Sequence, residues 1–211
     1  MSRIATLFDP LQFLDPVIRA KMALQEAWLR GLEWGEEFPC DLKVTTQQWA
    51  EQLAETSNVK VQRCYRLDEK VEQVSLHTFT DTFKLAYAAV SYARYRYVSR
   101  TISVSLVTAK ARVTPINSVS IPRLELMAAV LGVRLAETAS QKMEIPLSER
   151  TLWTDSMDVI YWVQGDSRRL ISFVFFVFFF VVCNLVSFVA NRVTKVQRRT
   201  SPAQWRHVPG E

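Results

Sequence analysis

The chain has 211 residues, 49% of them hydrophobic, and a formal net charge of +5, enough for one ordinary domain, or a small domain with part of a neighbour, on a mildly basic surface. Two histidines and five glycines exclude His-rich metal sites, the Walker-A loop and the GxGxxG fingerprint. Cys40, Cys64 and Cys183 match neither a disulfide framework nor a zinc spacing, and with no signal-peptide pattern the expected compartment is intracellular, cytoplasmic or nuclear.

Residues 1–70 read as a small helical unit. Asp15 is the expected N-cap of a first helix with Pro16 at its first position. Val17, Lys21, Leu24, Trp28 and Leu32 then recur at three- and four-residue steps, giving an apolar face that runs to Trp34. Phe38-Pro39 breaks it, and a second helix is predicted from Thr45 or Thr46 through Trp49 and Leu53.

Residues 71–165 change period. Val71–Thr80, Ala86–Tyr97 and Thr101–Val113 are rich in β-branched and aromatic residues with short connections, which predicts an antiparallel meander. From Ser120-Ile121-Pro122 onward, Leu124, Met127, Ala128, Leu131 and Leu135 mark one face of a long helix that Ile145-Pro146 ends. Thr151–Thr154 reads as a short buried strand, and Ser156–Val163 as a helix capped by Asp155 or Ser156. This order predicts an α/β fold: a mixed sheet with helices packed on it.

Leu170–Ala190 is uncharged for the length of a membrane span, and hydropathy makes it a transmembrane candidate. Positive charge flanks it on both sides and selects no orientation. Phe188–Gln197 reads as a further helix and Gln204–Val208 as a last strand.

Three acidic residues stand out by position. Asp81 follows the first strand, Glu125 falls in the first turn of the long helix, and Asp155 ends the short strand. A sheet bearing a helix can bring two strand ends and a helix start together, and three carboxylates there repel unless a divalent cation neutralises them. Two-metal phosphodiester hydrolysis uses such oxygen ligands on Mg²⁺ or Mn²⁺. Each residue also has an ordinary role, as a strand end, a helix N-terminal acid and an N-cap.

Several blocks carry a family resemblance: Phe8-Asp9-Pro10-Leu11, Leu14-Asp15-Pro16-Val17, Ala109-Lys110-Ala111-Arg112-Val113, Ile121-Pro122-Arg123-Leu124-Glu125-Leu126, Leu152-Trp153-Thr154-Asp155-Ser156 and Gln204-Trp205-Arg206-His207-Val208-Pro209-Gly210-Glu211. In this order the chain resembles BEL/Pao retrotransposon Pol polyproteins. The resemblance implies a helical linker following a reverse transcriptase (1–70) and a ribonuclease-H-like domain (71–211). It also implies Asp81, Glu125 and Asp155 as three members of a four-carboxylate Mg²⁺ or Mn²⁺ site that cleaves the RNA of RNA–DNA hybrids. Lys110, Arg112 and Arg123 are expected phosphate contacts, with solvated surface charge as the plain alternative. The implied partners are an RNA–DNA hybrid or other nucleic acid and the reverse-transcriptase domain of the parent polyprotein, with a membrane as partner only through residues 170–190. His207 is expected near the site, or as a structural histidine on its strand.

The region is also catalogued as a Pao peptidase, yet an aspartic protease needs an Asp-Thr/Ser-Gly loop. Here Asp81-Thr82 is followed by Phe83, and Asp155-Ser156 by Met157. Two departures from the family pattern bear on activity. The fourth carboxylate and its C-terminal helix are expected beyond Glu211, which implies weak or absent catalysis by these residues alone and a partly uncovered sheet. The apolar run 171–186 reads as an insert, either a translated intron or a genuine span. The alternative function is a non-catalytic nucleic-acid-binding or packing remnant.

Overall fold

A computed structural model of the protein describes residues 16–33, 35–55, 58, 60, 64–117, 119–165 and 182–209. Two helices, α1 (Pro16–Leu29) and α2 (Cys40–Glu55), pack on each other ahead of a sheet. The predicted N-cap, Asp15, lies outside the described residues. The buried residues of α1 are Ile18, Ala20, Ala23 and Ala27, while Trp28 is 73% exposed. This corrects the expected Leu24–Trp28 face: most of the buried surface of α1 is made by small side chains, and Trp28 is displaced outward. Helix α2 starts at Cys40, immediately after Pro39, with Asp41 in its first turn. Its start is therefore set by the proline and an N-terminal acid, several residues before the predicted threonines. Gln25 Nε2 donates to the Thr114 carbonyl at 2.7 Å and ties α1 to the sheet.

Strands β1 (Val71–Phe83), β2 (Ala86–Tyr97) and β3 (Ile102–Val113) form the predicted antiparallel meander. Helix α3 (Ile121–Lys142) crosses back, and β4 (Arg150–Thr154) then pairs parallel with β1. Helices α4 (Met157–Gln164) and α5 (Val182–Gln197) follow, and β5 (Trp205–His207) pairs parallel with β4. The sheet order is β3-β2-β1-β4-β5, the mixed α/β sheet that the sequence pattern predicts.

Leu76, Thr78 and Thr80 alternate onto the face under α3, next to Ala89, Ser91 and Ala93 of β2 and Leu152 and Thr154 of β4. Period-two alternation explains the polar members: Thr78 Oγ1 and Ser91 Oγ satisfy each other at 2.8 Å, so both can be buried. Helix α3 lies close to this face. A Cβ on its buried Gly132 would meet Thr80 Cγ2 at 2.3 Å, so glycine is what permits the approach. One core cluster joins Leu126, Val133, Leu152, Val159, Val193 and Trp205 across α3, α4, α5 and β4–β5. On the other face Phe79 stacks on Trp153 (5.8 Å, 10°), His77 stacks on Trp153, and Tyr92 meets Phe79 edge-on.

Among the described residues no helix is long and apolar enough to cross a membrane. The apolar run through residue 181 lies outside the described residues. Its end belongs to α5, where Val189, Val193 and Val196 pack into the core beside the solvent-facing Asn191 and Lys195. The transmembrane reading is corrected for residues 187–190, which lie in this domain helix, with Ser187 exposed and Val189 packed against the core.

Candidate metal and nucleic-acid site

Parallel pairing of β1 with β4 sets Thr80 beside Thr154, so the residues that follow them, Asp81 and Asp155, emerge at the same end of the sheet. Both are exposed. Asp81 Oδ1 accepts the Thr82 N–H at 2.6 Å. The Asp155 carbonyl accepts from His207 Nε2 at 3.1 Å, which places His207 beside the site and at the end of β5. Glu125 lies just past the first turn of α3, a small correction to its expected place.

Ser156 is the N-cap of α4, the second of the two predicted candidates. Its Oγ accepts from Val159 N at 3.2 Å and donates to Glu125 Oε2 at 2.5 Å. The Glu125 carboxyl is held above its ordinary range. Burial is the largest cause, the Ser156 hydrogen bond opposes it, and the charges of Asp155, Asp158 and Asp81 push in the same direction as burial. The structure thus brings all three expected acids into one electrostatic neighbourhood, with Asp158 of α4 as a fourth that the sequence reading did not single out. Asp81 acts most weakly of these neighbours. The pleat explains this: Asp81 alternates away from Thr80, which faces α3.

The fit to a divalent cation is one of donor chemistry. The three acids offer hard carboxylate oxygens, and the unneutralised negative field on Glu125 is what Mg²⁺ or Mn²⁺ would relieve. Among the described residues, no three His, Cys, Asp or Glu side chains are gathered closely enough to hold an ion as they stand.

The expected phosphate contacts separate. Lys110 and Arg112 occupy β3, Lys110 half-exposed and Arg112 exposed. Arg123 is half-buried at the start of α3, its Nε without a hydrogen-bond partner, and its guanidinium lies 5.1 Å from the Phe188 ring centroid. Arg192 covers the same ring at 3.3 Å. A cleft of about 150 Å³ between α3, α5 and β2–β3 is lined by Arg112, Arg134, Arg192 and Lys195, with Met127 and Leu131 among its apolar lining. Sequence reasoning reached only Arg112 of these four, because the others come from helix faces far apart in the chain.

A sequence model of the Pao retrotransposon-like RNaseH-like domain matches residues 1–156. No curated protein sequence matches the chain. Among solved structures, the chain is similar to RNase H1 of Halobacterium salinarum NRC-1, at 12% identity and TM-score 0.32, covering 64% of this chain and 85% of that one. It is also similar to the N-terminal RNase H domain of a Mycobacterium tuberculosis protein, at 12% identity and TM-score 0.30, covering 65% and 87%. A third similarity is to prototype foamy virus protease–reverse transcriptase, at 11% identity and TM-score 0.37. There, 88% of this chain matches 26% of that one, so the chain spans about a quarter of the viral protein. Because the family model takes in both helices of the leading unit, the sheet through β4 and the segment ending in Asp155-Ser156, the chain belongs to the Pao retrotransposon-like RNaseH-like family and is an RNase H-like domain of a retrotransposon.

Proposed function

We propose that the domain is a ribonuclease-H-type hydrolase that cleaves the RNA strand of RNA–DNA hybrids, with Asp81, Glu125 and Asp155 as the residues that would hold Mg²⁺ or Mn²⁺. The observation that carries this reading is the convergence of three carboxylates, from β1, α3 and the end of β4, on one sheet end, where their charges bear on Glu125. A bound divalent ion would supply activation of water and stabilisation of the leaving oxygen. The chain's own residues supply position. Ser156 fixes Glu125 and, by capping α4, anchors the turn that carries Asp155, while His207 holds that turn's carbonyl. Residues 1–70 would serve as the linker to the reverse-transcriptase domain of the parent polyprotein.

The test is hydrolysis of an end-labelled RNA–DNA hybrid by the full chain in Mn²⁺, with calorimetric Mn²⁺ titration alongside. Asp155→Asn should abolish cleavage and weaken Mn²⁺ binding. Cleavage unaffected by that substitution would overturn the assignment. The loose spacing of the three acids favours one second reading, a non-catalytic nucleic-acid-binding remnant, for which hybrid binding persists with neither Mn²⁺ binding nor cleavage.

A further inference from the structure

We infer that the cleft lined by Arg112, Arg134, Arg192 and Lys195 is a docking track for a nucleic-acid phosphate backbone, separate from the acidic end that would carry the chemistry. The inference extends the proposed function by naming the surface that holds the polyanion. Four cations from β3, α3 and α5 line one small cleft, and no acidic residue is among its lining residues. None of the four forms a salt bridge among the described residues, whereas Arg30, Lys43, Arg96 and Arg199 each pair with a carboxylate. Like charges held together without counter-charge destabilise the fold by self-repulsion, and a polyanion reverses that cost while releasing its condensed counterions.

The cleft is also partly preformed. The guanidinium of Arg192 lies 3.3 Å from the Phe188 ring centroid, and its Nη1 donates to the Phe188 carbonyl at 3.2 Å, so this one of the four cations is held in place rather than waving in solvent. Arg134 follows Glu125 on the same helix by nine residues, about 13 Å along the axis and about half a turn around it, so the cleft and the acidic end lie on different sides of α3 and the cleft does not touch the reacting phosphate. An acidic protein is the competing occupant. Four cations from three elements with no acid among the lining residues match the repeated charge of a phosphate backbone, which favours it over a few carboxylates.

The test uses the full chain and a fluorescein-labelled RNA–DNA hybrid in EDTA, so that metal and cleavage do not contribute. The combined variant Arg112→Gln, Arg134→Gln, Lys195→Gln removes three exposed cations. A control variant, Lys60→Gln, Lys70→Gln, Lys142→Gln, removes the same charge elsewhere. The cleft variant should lose roughly tenfold or more in affinity and about two to three in the slope of log K against log salt, the control far less. Equal losses in the two variants, or no loss in the cleft variant, would overturn the inference. Displacement of the hybrid by polyglutamate at matched charge would overturn nucleic acid as the occupant. If the combined variant fails to fold by circular dichroism, the single Arg134→Gln substitution gives the same reading. Loss of cleavage with this binding intact would count against the metal site and leave the cleft standing.

Discussion

The hydroxyl of Ser156 serves Glu125 and Val159 at once: it donates to the carboxylate at 2.5 Å and accepts the helix's N–H at 3.2 Å. One side chain therefore links the charge state of an acid on α3 to the integrity of α4.

Glu125 titrates against the fold. Its carboxyl is raised by burial, with the Asp155, Asp158 and Asp81 charges adding to the effect, so stability is fully present below the ordinary value of 4.5 and declines as pH rises through the folded value. Glu125→Gln should therefore raise Tm at pH 7 to 8, with the gain vanishing near pH 4. Mn²⁺ should stabilise the wild type and leave the Gln variant unmoved. Ser156→Ala should cost about 1 kcal/mol through the lost cap and move the Glu125 titration upward. A Glu125→Gln protein no more stable than wild type at neutral pH would contradict this account.

Gly132 reverses the usual helix rule. Glycine to alanine inside a helix ordinarily gains about 1 kcal/mol, but the new Cβ would sit 2.3 Å from Thr80 Cγ2. Gly132→Ala should instead lose about 1–3 kcal/mol in urea unfolding. Adding Thr80→Ser, which removes that methyl, should restore part of the loss. An additive double mutant would show that α3 shifts away instead.

His77 is a pH-dependent strut. Trp153 Nε1 donates to its Nδ1 at 3.2 Å, leaving Nε2 to pair with Ser75 Oγ at 3.1 Å. The neutral ring thus carries its proton on Nε2, which rules out His77 as a base for Ser75. Burial holds its titration below the ordinary 6.5, with Arg94 acting in the same direction. A depressed histidine contributes stability above 6.5 that is lost as pH falls through the folded value. His77→Phe should flatten that acid limb in a Tm-against-pH series, and an unchanged limb would assign it to other groups.

Arg150 is 4% exposed. It makes two long hydrogen bonds, to Ser140 Oγ and the Arg199 carbonyl, both at 3.4 Å, and its Nε has no partner. Burial lowers its pKa, opposed by the Glu137 charge. Such a buried cation is often replaced by an apolar side chain without loss. Arg150→Met should be at least as stable as wild type in urea, and a loss of more than about 2 kcal/mol would show that the two bonds matter more than their lengths suggest.

Elements governed by local pattern were legible in the sequence. The three meander strands, α3 and β4 stand within a few residues of their predicted ends because alternation and the Ser120–Pro122 and Ile145-Pro146 signals are local. The buried face of α1 was not, since Ala20, Ala23 and Ala27 lack the bulk that makes a stripe visible, and the larger Leu24 and Trp28 drew the assignment. Asp81, Glu125 and Asp155 were singled out through strand ends and a helix start, which set their position along the chain but not their spacing. Their looseness was not visible, because it depends on which face of β1 Asp81 takes. The basic cleft was hidden for a different reason: its lining cations, Arg112 to Lys195, come together only through the packing of α5 on α3.

Trp205 has a consequence for the order of events during synthesis. It is almost the last described residue, yet its indole fills the centre of the core made by Leu126, Leu152, Val159 and Val193, with Nε1 bonded to Thr200 Oγ1 at 3.0 Å. A nascent chain that has reached Thr200 has α1 to α5 but lacks the piece that seals α3, α4 and α5 against the sheet. Final closure of that core must wait for Trp205 to leave the ribosome, so the domain cannot mature from its N-terminus in step with translation.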